Sequence, residues 1–153
     1  MDYLILREIG MIARCFQTIN DIEFRELSLE KGQYLFLVRI CENPGINQER
    51  LSNMLKVDKT TTAKAVKKLI SKGYILKEQS KEDKRSFKLY PDKKAMEIYQ
   101  FLRTEEDYST ETALKGFCNE EKEIVHKLLK KMRENIEKDW QAVKNGKDRG
   151  YLD

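Results

Sequence analysis

Residues 46–75 read INQERLSNMLKVDKTTTAKAVKKLISKGYI. Two short stretches of helical period stand in this run, and only Lys56, Val57 and Asp58 separate them. Two short helices joined by three residues form a helix-turn-helix. Asn47 is placed to cap the first helix, with Leu51, Met54 and Leu55 turned inward. Asp58 is placed to cap the second by accepting from the amides of Thr60 or Thr61. The second helix runs to Ser71-Lys72 and stops at Gly73, which serves as a C′ glycine.

On a wheel of about 100° per residue, Ala63, Val66, Leu69 and Ile70 fall on one arc and are expected to face the core. The opposite arc holds Thr60, Thr61, Lys64, Lys67, Lys68, Ser71 and Lys72, with no acidic residue after Asp58. A solvated helix face ordinarily mixes signs, because like charges four residues apart cost a few tenths of a kcal/mol. Here Lys64 and Lys68 stand four apart with no Glu to separate them. Phosphates would relieve that repulsion, hydroxyls near the helix start can bond phosphate or base edges, and lysines reach phosphate or guanine. Residues 56–94 hold thirteen Lys/Arg against five Asp/Glu, a net of +8, while the rest of the chain is −4. Basic charge gathered in one quarter of the chain implies an anionic partner with a single docking surface.

YILKEQS and SFKLY follow, two short runs of strand character around the charged tip KEDKR. A hairpin directly after a helix-turn-helix is a winged-helix layout. Arg85, the only arginine of the basic quarter, sits at the tip, where it can enter a narrow minor groove; Asp83 is placed to orient it.

Upstream, Ser28 is placed to cap a helix LEKGQYLFLVRICEN that stops at Asn43-Pro44-Gly45 and is apolar nearly all round. Pro91-Asp92 is expected to open a further helix, irregular from Tyr108 to Gly116, and Asn119 to cap a last one. The first helix carries Ile5, Ile9, Ile12 and Phe16 at steps of four and three, and the last carries Ile124, Leu128, Met132, Ile136 and Trp140. A domain built on residues 28–95 cannot bury both stripes, so a homodimer whose terminal helices interdigitate is expected. The division that follows is a dimerisation helix over 1–27, a DNA-binding lobe over 28–95 (second helix 58–72, wing 74–90), dimerisation helices over 96–145 and a frayed tail over 146–153. The fold class is mainly α with a small β-hairpin wing.

Cys15, Cys41 and Cys118 fit neither a disulfide framework nor a zinc spacing, and His126 is the only histidine. No paired carboxylates on an apolar background, phosphate loop or Ser/His or Cys/His constellation is present, so no enzyme, cofactor or metal is expected. No apolar run approaches the roughly 20 residues of a membrane span, and the N-terminus lacks a basic leader region, so a cytoplasmic protein without a membrane partner is expected.

With these features in order, the chain resembles the MarR family of bacterial winged-helix transcriptional regulators. GQYLFLVRI, the helix-turn-helix run and the wing SKEDKRSFKL with its Asp83-x-Arg85 pair carry the resemblance, which covers roughly residues 5–143. It implies a recognition helix over 58–72 in the major groove and Arg85, supported by Asp83, in the minor groove. Lys59, Thr60, Thr61, Lys64, Lys67, Lys68, Lys84, Asn47 and Gln48 complete the expected DNA-contacting set. The implied partner is pseudo-palindromic double-stranded DNA bound by a homodimer, with half-sites about 10 bp apart. The implied role is a repressor released by a small phenolic or lipophilic effector. Two alternatives stand beside it: a winged-helix module that docks an acidic protein, and an oxidant sensor of the same family acting through Cys15 in the first helix. The chain departs from the family pattern at Leu89-Tyr90-Pro91-Asp92, after the wing. It also departs at Lys56, where a non-glycine residue in a left-handed turn costs about 1 kcal/mol.

Overall fold

The helix-turn-helix forms as its capping residues dictate. In the computed structural model, which describes residues 2–151, α3 spans Gln48–Leu55 and α4 spans Lys59–Ser71. The Asn47 side chain accepts from the Arg50 amide at 2.8 Å and caps α3. Asp58 does the same for α4 from the Thr61 amide, also at 2.8 Å. Between them Lys56 takes φ 56° and ψ 42°, the left-handed conformation that turns the chain. Its ammonium donates to the Asn53 carbonyl at 2.7 Å, and the Ser52 hydroxyl donates to the Val57 carbonyl at 2.6 Å. These two bonds offset the strain at Lys56 and fix the crossing of the helices. Gly73 ends α4 with φ 76°, and its amide bonds back to Ile70.

Upstream lie α1 (Tyr3–Glu23) and α2 (Gln33–Glu42). The second starts later than expected, and Ser28 does not cap it. A cap residue has extended backbone, whereas Ser28 sits at φ 58° inside a turn-rich connection, and Gly32 at φ 75° precedes the first helical residue. Nothing in the types of Ser28 and Lys31 announces the left-handed backbone of that turn. Downstream, β1 (Ile75–Gln79) and β2 (Phe87–Pro91) pair antiparallel, from Ile75 opposite Pro91 to Gln79 opposite Phe87. Pro91 therefore closes a strand and does not open a helix. Helix α5 runs Lys93–Ala113, so the irregularity expected from Tyr108 to Gly116 is confined to the turn at residues 114–116, where Gly116 takes φ 87°.

Residues up to Ser109 pack as one compact unit, and Thr110–Asp153 form a second. The core of the first is built from Phe24, Leu37, Ile40, Leu51, Leu69, Tyr74, Leu89 and Leu102, all 0–2% exposed. Met54, expected inside, is exposed. The wing is tied to the start of α3 by Gly45 donating to the Leu89 carbonyl (2.7 Å) and Leu89 donating to the Ile46 carbonyl (2.8 Å). Tyr74 lies under the hairpin and donates its hydroxyl to the Leu27 carbonyl at 2.7 Å. The base of the wing is thus hydrogen-bonded to the start of the helix-turn-helix.

In the second unit α6 spans Asn119–Lys144, and its N-cap is Cys118, one residue before the expected Asn119. The Glu121 carboxylate accepts from the Cys118 amide at 2.9 Å and closes the capping box. Arg149 returns to Asp139 at 2.9 Å; of the tail over 146–153, Leu152 and Asp153 lie outside the described residues. Among the described residues, no helix is long and apolar enough to cross a membrane.

Candidate nucleic-acid interface

Helix α4 buries Thr62, Ala65, Val66 and Leu69. The buried arc is rotated from the one read off the sequence: Ala63 is exposed and Ile70 is 37% exposed, while Thr62 and Ala65 take the inner positions. A hydrogen bond makes the burial of Thr62 tolerable. The Thr62 hydroxyl donates to the Asp58 carbonyl at 2.9 Å, so the residue enters the core with its polar atom satisfied. The outward arc then carries Thr60, Lys64, Lys67 and Lys68, all exposed, with no carboxylate among them. Lys59 is exposed and stands 3.9 Å from Glu49. Lys72 leaves the arc altogether and donates to the Ser28 carbonyl and to Gln33 Oε1.

The three threonines have different work. Thr62 is inside. The Thr61 hydroxyl donates to Asp58 Oδ2 at 2.6 Å while its amide donates to Oδ1. Those bonds, the hydroxyl's first and the amide's second, hold the Asp58 carboxyl below its ordinary pKa. A group depressed in the folded state contributes stability that is present above its unfolded pKa and is lost as pH falls through the folded value. Thermal unfolding from about pH 6 to about pH 3, across the ordinary aspartate value near 3.9, should therefore show a midpoint that falls more steeply for wild type than for Asp58→Ala. Asp58→Asn should keep most of the cap and show the same shallower fall as Asp58→Ala. Equal pH profiles for wild type and Asp58→Ala would remove Asp58 from this role.

The wing tip is a tight turn. Ser80 donates to the Ser86 carbonyl at 2.8 Å, and the Ser80 hydroxyl accepts from the amides of Glu82 and Asp83. Asp83 Oδ1 accepts from the backbone amide of Arg85 at 2.9 Å. Asp83 thus acts on Arg85 by fixing the turn that carries it, through the main chain and not through its guanidinium. Lys84 and Arg85 are both exposed. Between the tip and the start of α3 lies a cleft of about 570 Å³ lined by Asn47, Gln48, Glu49, Lys77, Asp83, Arg85, Ser86 and Phe87. It brings together four of the expected residues: Asn47, Gln48, Asp83 and Arg85. It also adds Lys77, which sequence reading missed. Its ammonium lies 4.6 Å from the Phe87 ring centroid and 3.4 Å from Gln48 Oε1. Strand alternation with Phe87's partner run was the signal that could have found it.

The remaining candidates lie elsewhere. On α1, Ile5 and Ile12 are half exposed while Ile9 and Phe16 are partly covered. On α6, Ile124, Leu128 and Ile136 are each more than half exposed and Met132 and Trp140 partly covered. Cys15 is exposed on α1, and Arg14 lays its guanidinium over Gly10, one turn toward the N-terminus. Cys41 is buried, which pushes its thiol pKa up to about 11. His126 is exposed.

The family model described as MarR family matches residues 29–87. The uncharacterized HTH-type transcriptional regulator YybA of Bacillus subtilis (strain 168) is 54% identical over 96% of this chain and 98% of its own length. A solved MarR protein from Peptoclostridium difficile is 52% identical, with a TM-score of 0.89 over 94% of both chains. A MarR-family regulator from Listeria monocytogenes, solved in complex with 26mer DNA, is 47% identical, with a TM-score of 0.93 over 95% of this chain and 97% of its own. A helix-turn-helix capped at Asn47 and Asp58, a wing hydrogen-bonded to it, and near-complete likeness to these regulators lead to one assignment: the chain belongs to the MarR family of winged helix-turn-helix transcriptional regulators.

Proposed function

We propose that this protein binds double-stranded DNA as a homodimer, with α4 in the major groove and the wing tip against the minor groove. The observation that carries this is the outward face of α4, where Lys64, Lys67 and Lys68 stand exposed without a carboxylate. The wing holds Arg85 beside the cleft at the start of α3. Thr60, Lys59, Gln48 and Lys84 are within the same surface and are proposed as further contacts to phosphate or base edges. Asn47 and Thr61 act through capping. The Listeria relative solved with DNA supports the reading.

The dimer is inferred from the exposed apolar positions of α1 and α6, Ile5, Ile12, Ile124, Leu128 and Ile136. Leu128 is 54% and Ile136 55% exposed, and large apolar side chains repeated along one exposed face mark an interaction surface. On this reading residues 28–95 read the DNA, while residues 1–27 and 96–145 hold two copies together and set half-sites about 10 bp apart. The family's usual role is repression relieved by a small phenolic or lipophilic effector, and we assign that role here, in the cytoplasm. Cys15-based oxidant sensing is the second reading: Cys15 is exposed on α1, and an oxidant that releases wild type but not Cys15→Ser from DNA would favour it.

Anisotropy titration with a duplex from the protein's own promoter, from about 50 to 200 mM salt, tests the reading. Six to ten phosphate contacts give a log–log slope of roughly −5 to −9. A flat response overturns it and favours an acidic protein partner. Arg85→Ala should weaken binding by about tenfold and flatten the slope by roughly one to two units. Sedimentation should give a mass twice the chain's 18.1 kDa for wild type and variant alike.

A further inference from the structure

We propose that Ala63 is a base-reading residue of α4, and that it selects thymine through the 5-methyl group at one position of each half-site. The inference rests on the DNA-binding reading above and extends it to the base that one side chain demands.

Among the residues that α4 leaves exposed, only Ala63 and Ile70 are apolar. Ala63 is the fifth residue of the helix. The N-terminal residues of a recognition helix are those that reach base edges. Ile70 lies seven residues further on, about 10 Å along the axis, beyond that end. One turn from Ala63 on either side, on the same face, stand Thr60 and Lys67, with Lys59 four residues before. The methyl group is therefore ringed by side chains suited to phosphates and polar base edges.

Hydroxyl accounting sharpens this. The Thr61 hydroxyl is held by Asp58, the Thr62 hydroxyl is buried on the Asp58 carbonyl, and the Ser71 hydroxyl donates to the Lys68 carbonyl at 2.8 Å. Around position 63, hydrogen-bonding readout is left to Thr60 and the lysines, and Ala63 offers one methyl. The major groove has one apolar feature, the thymine 5-methyl group. A cytosine there offers no methyl, and a purine would lose water from a polar edge without a partner in return. The small side chain also lets the helix seat closely enough for its neighbours to reach.

The test uses the full chain and a duplex that the wild-type protein enriches from a randomised pool. Each thymine of a half-site is replaced in turn by uracil, which differs only by that methyl. One such position should cost the wild type about fourfold in affinity, the worth of one methyl removed from water. Ala63→Gly and Ala63→Ser should bind the thymine and uracil forms of that position within about twofold of each other, with helix content checked by circular dichroism. Ser keeps the helix where Gly weakens it, so agreement between the two variants separates readout from folding. If every uracil substitution costs wild type and both variants alike, Ala63 reads nothing. In that case a retained steep salt slope leaves the DNA-binding reading standing. If no duplex is enriched, that reading falls and this one with it.

Discussion

Lys64→Glu combined with Lys67→Glu should reduce DNA affinity by roughly 10³-fold at about 0.15 M salt. The slope of about −0.9 per neutralised phosphate is worth roughly fivefold per contact at that concentration. Two lysines on each of two recognition helices make four contacts, and four such factors approach three decades. Like-charge approach to the duplex adds to the loss. The log–log salt slope should flatten by roughly four units in parallel. The fold should not suffer, because both side chains are exposed. Glu at position 64 would replace the Lys64–Lys68 repulsion by an attraction, in the favourable orientation, worth roughly 0.2–0.5 kcal/mol. Binding and stability are thus expected to move in opposite directions. A variant that unfolds earlier, or that binds within tenfold of wild type, would contradict the assignment of this face.

The opposition of those two effects is also why the interface was legible in the sequence at all. A face that repels itself is visible as a run of lysines without glutamates, whatever the tertiary structure. Caps are equally local, so Asn47, Asp58 and Gly73 were readable from spacing alone. The wheel went astray where a residue's polarity and its location part company. Thr62 is polar by type and buried in fact, because Asp58 supplies a carbonyl that no hydropathy scale records. That bond lets Thr62 join Ala65, Val66 and Leu69 on the packed face, and Ala63 lies outside it. The turn at Ser28–Gly32 was hidden for another reason: Ser28 and Lys31 both adopt left-handed backbone, which neither residue type announces, and Leu29 between them is fully buried. Asp83 illustrates a third limit. The Asp-x-Arg spacing announced an interaction with Arg85, but only geometry shows that the acceptor is served by the main-chain amide. The stripes on α1 and α6 show which faces want covering, and a single chain's sequence is silent on what covers them.

Leu69→Ala should destabilise the first unit by about 3–4 kcal/mol. Leu69 is fully buried, and its carbonyl accepts from the Tyr74 amide at 3.0 Å, where α4 hands over to the wing. Deleting a buried isobutyl group loses its transfer free energy and leaves a cavity, which places the cost in the lower to middle part of the known range of about 2.7–5 kcal/mol. Against a total of about 5–15 kcal/mol this is a large fraction, and the unfolding midpoint should drop by roughly 10 °C. Ile70→Ala supplies the decisive contrast. The wheel placed both residues on the core face, so it predicts similar losses. The structure leaves Ile70 37% exposed, and a loss of about 1 kcal/mol or less is expected there. Calorimetry of the two variants side by side discriminates between the arcs: similar losses would restore the sequence-derived face and return Ala63 to the interior, whereas a gap of 2 kcal/mol or more, on the scale of a buried leucine against a half-exposed one, fixes α4 in the orientation that presents Lys64, Lys67 and Ala63 together.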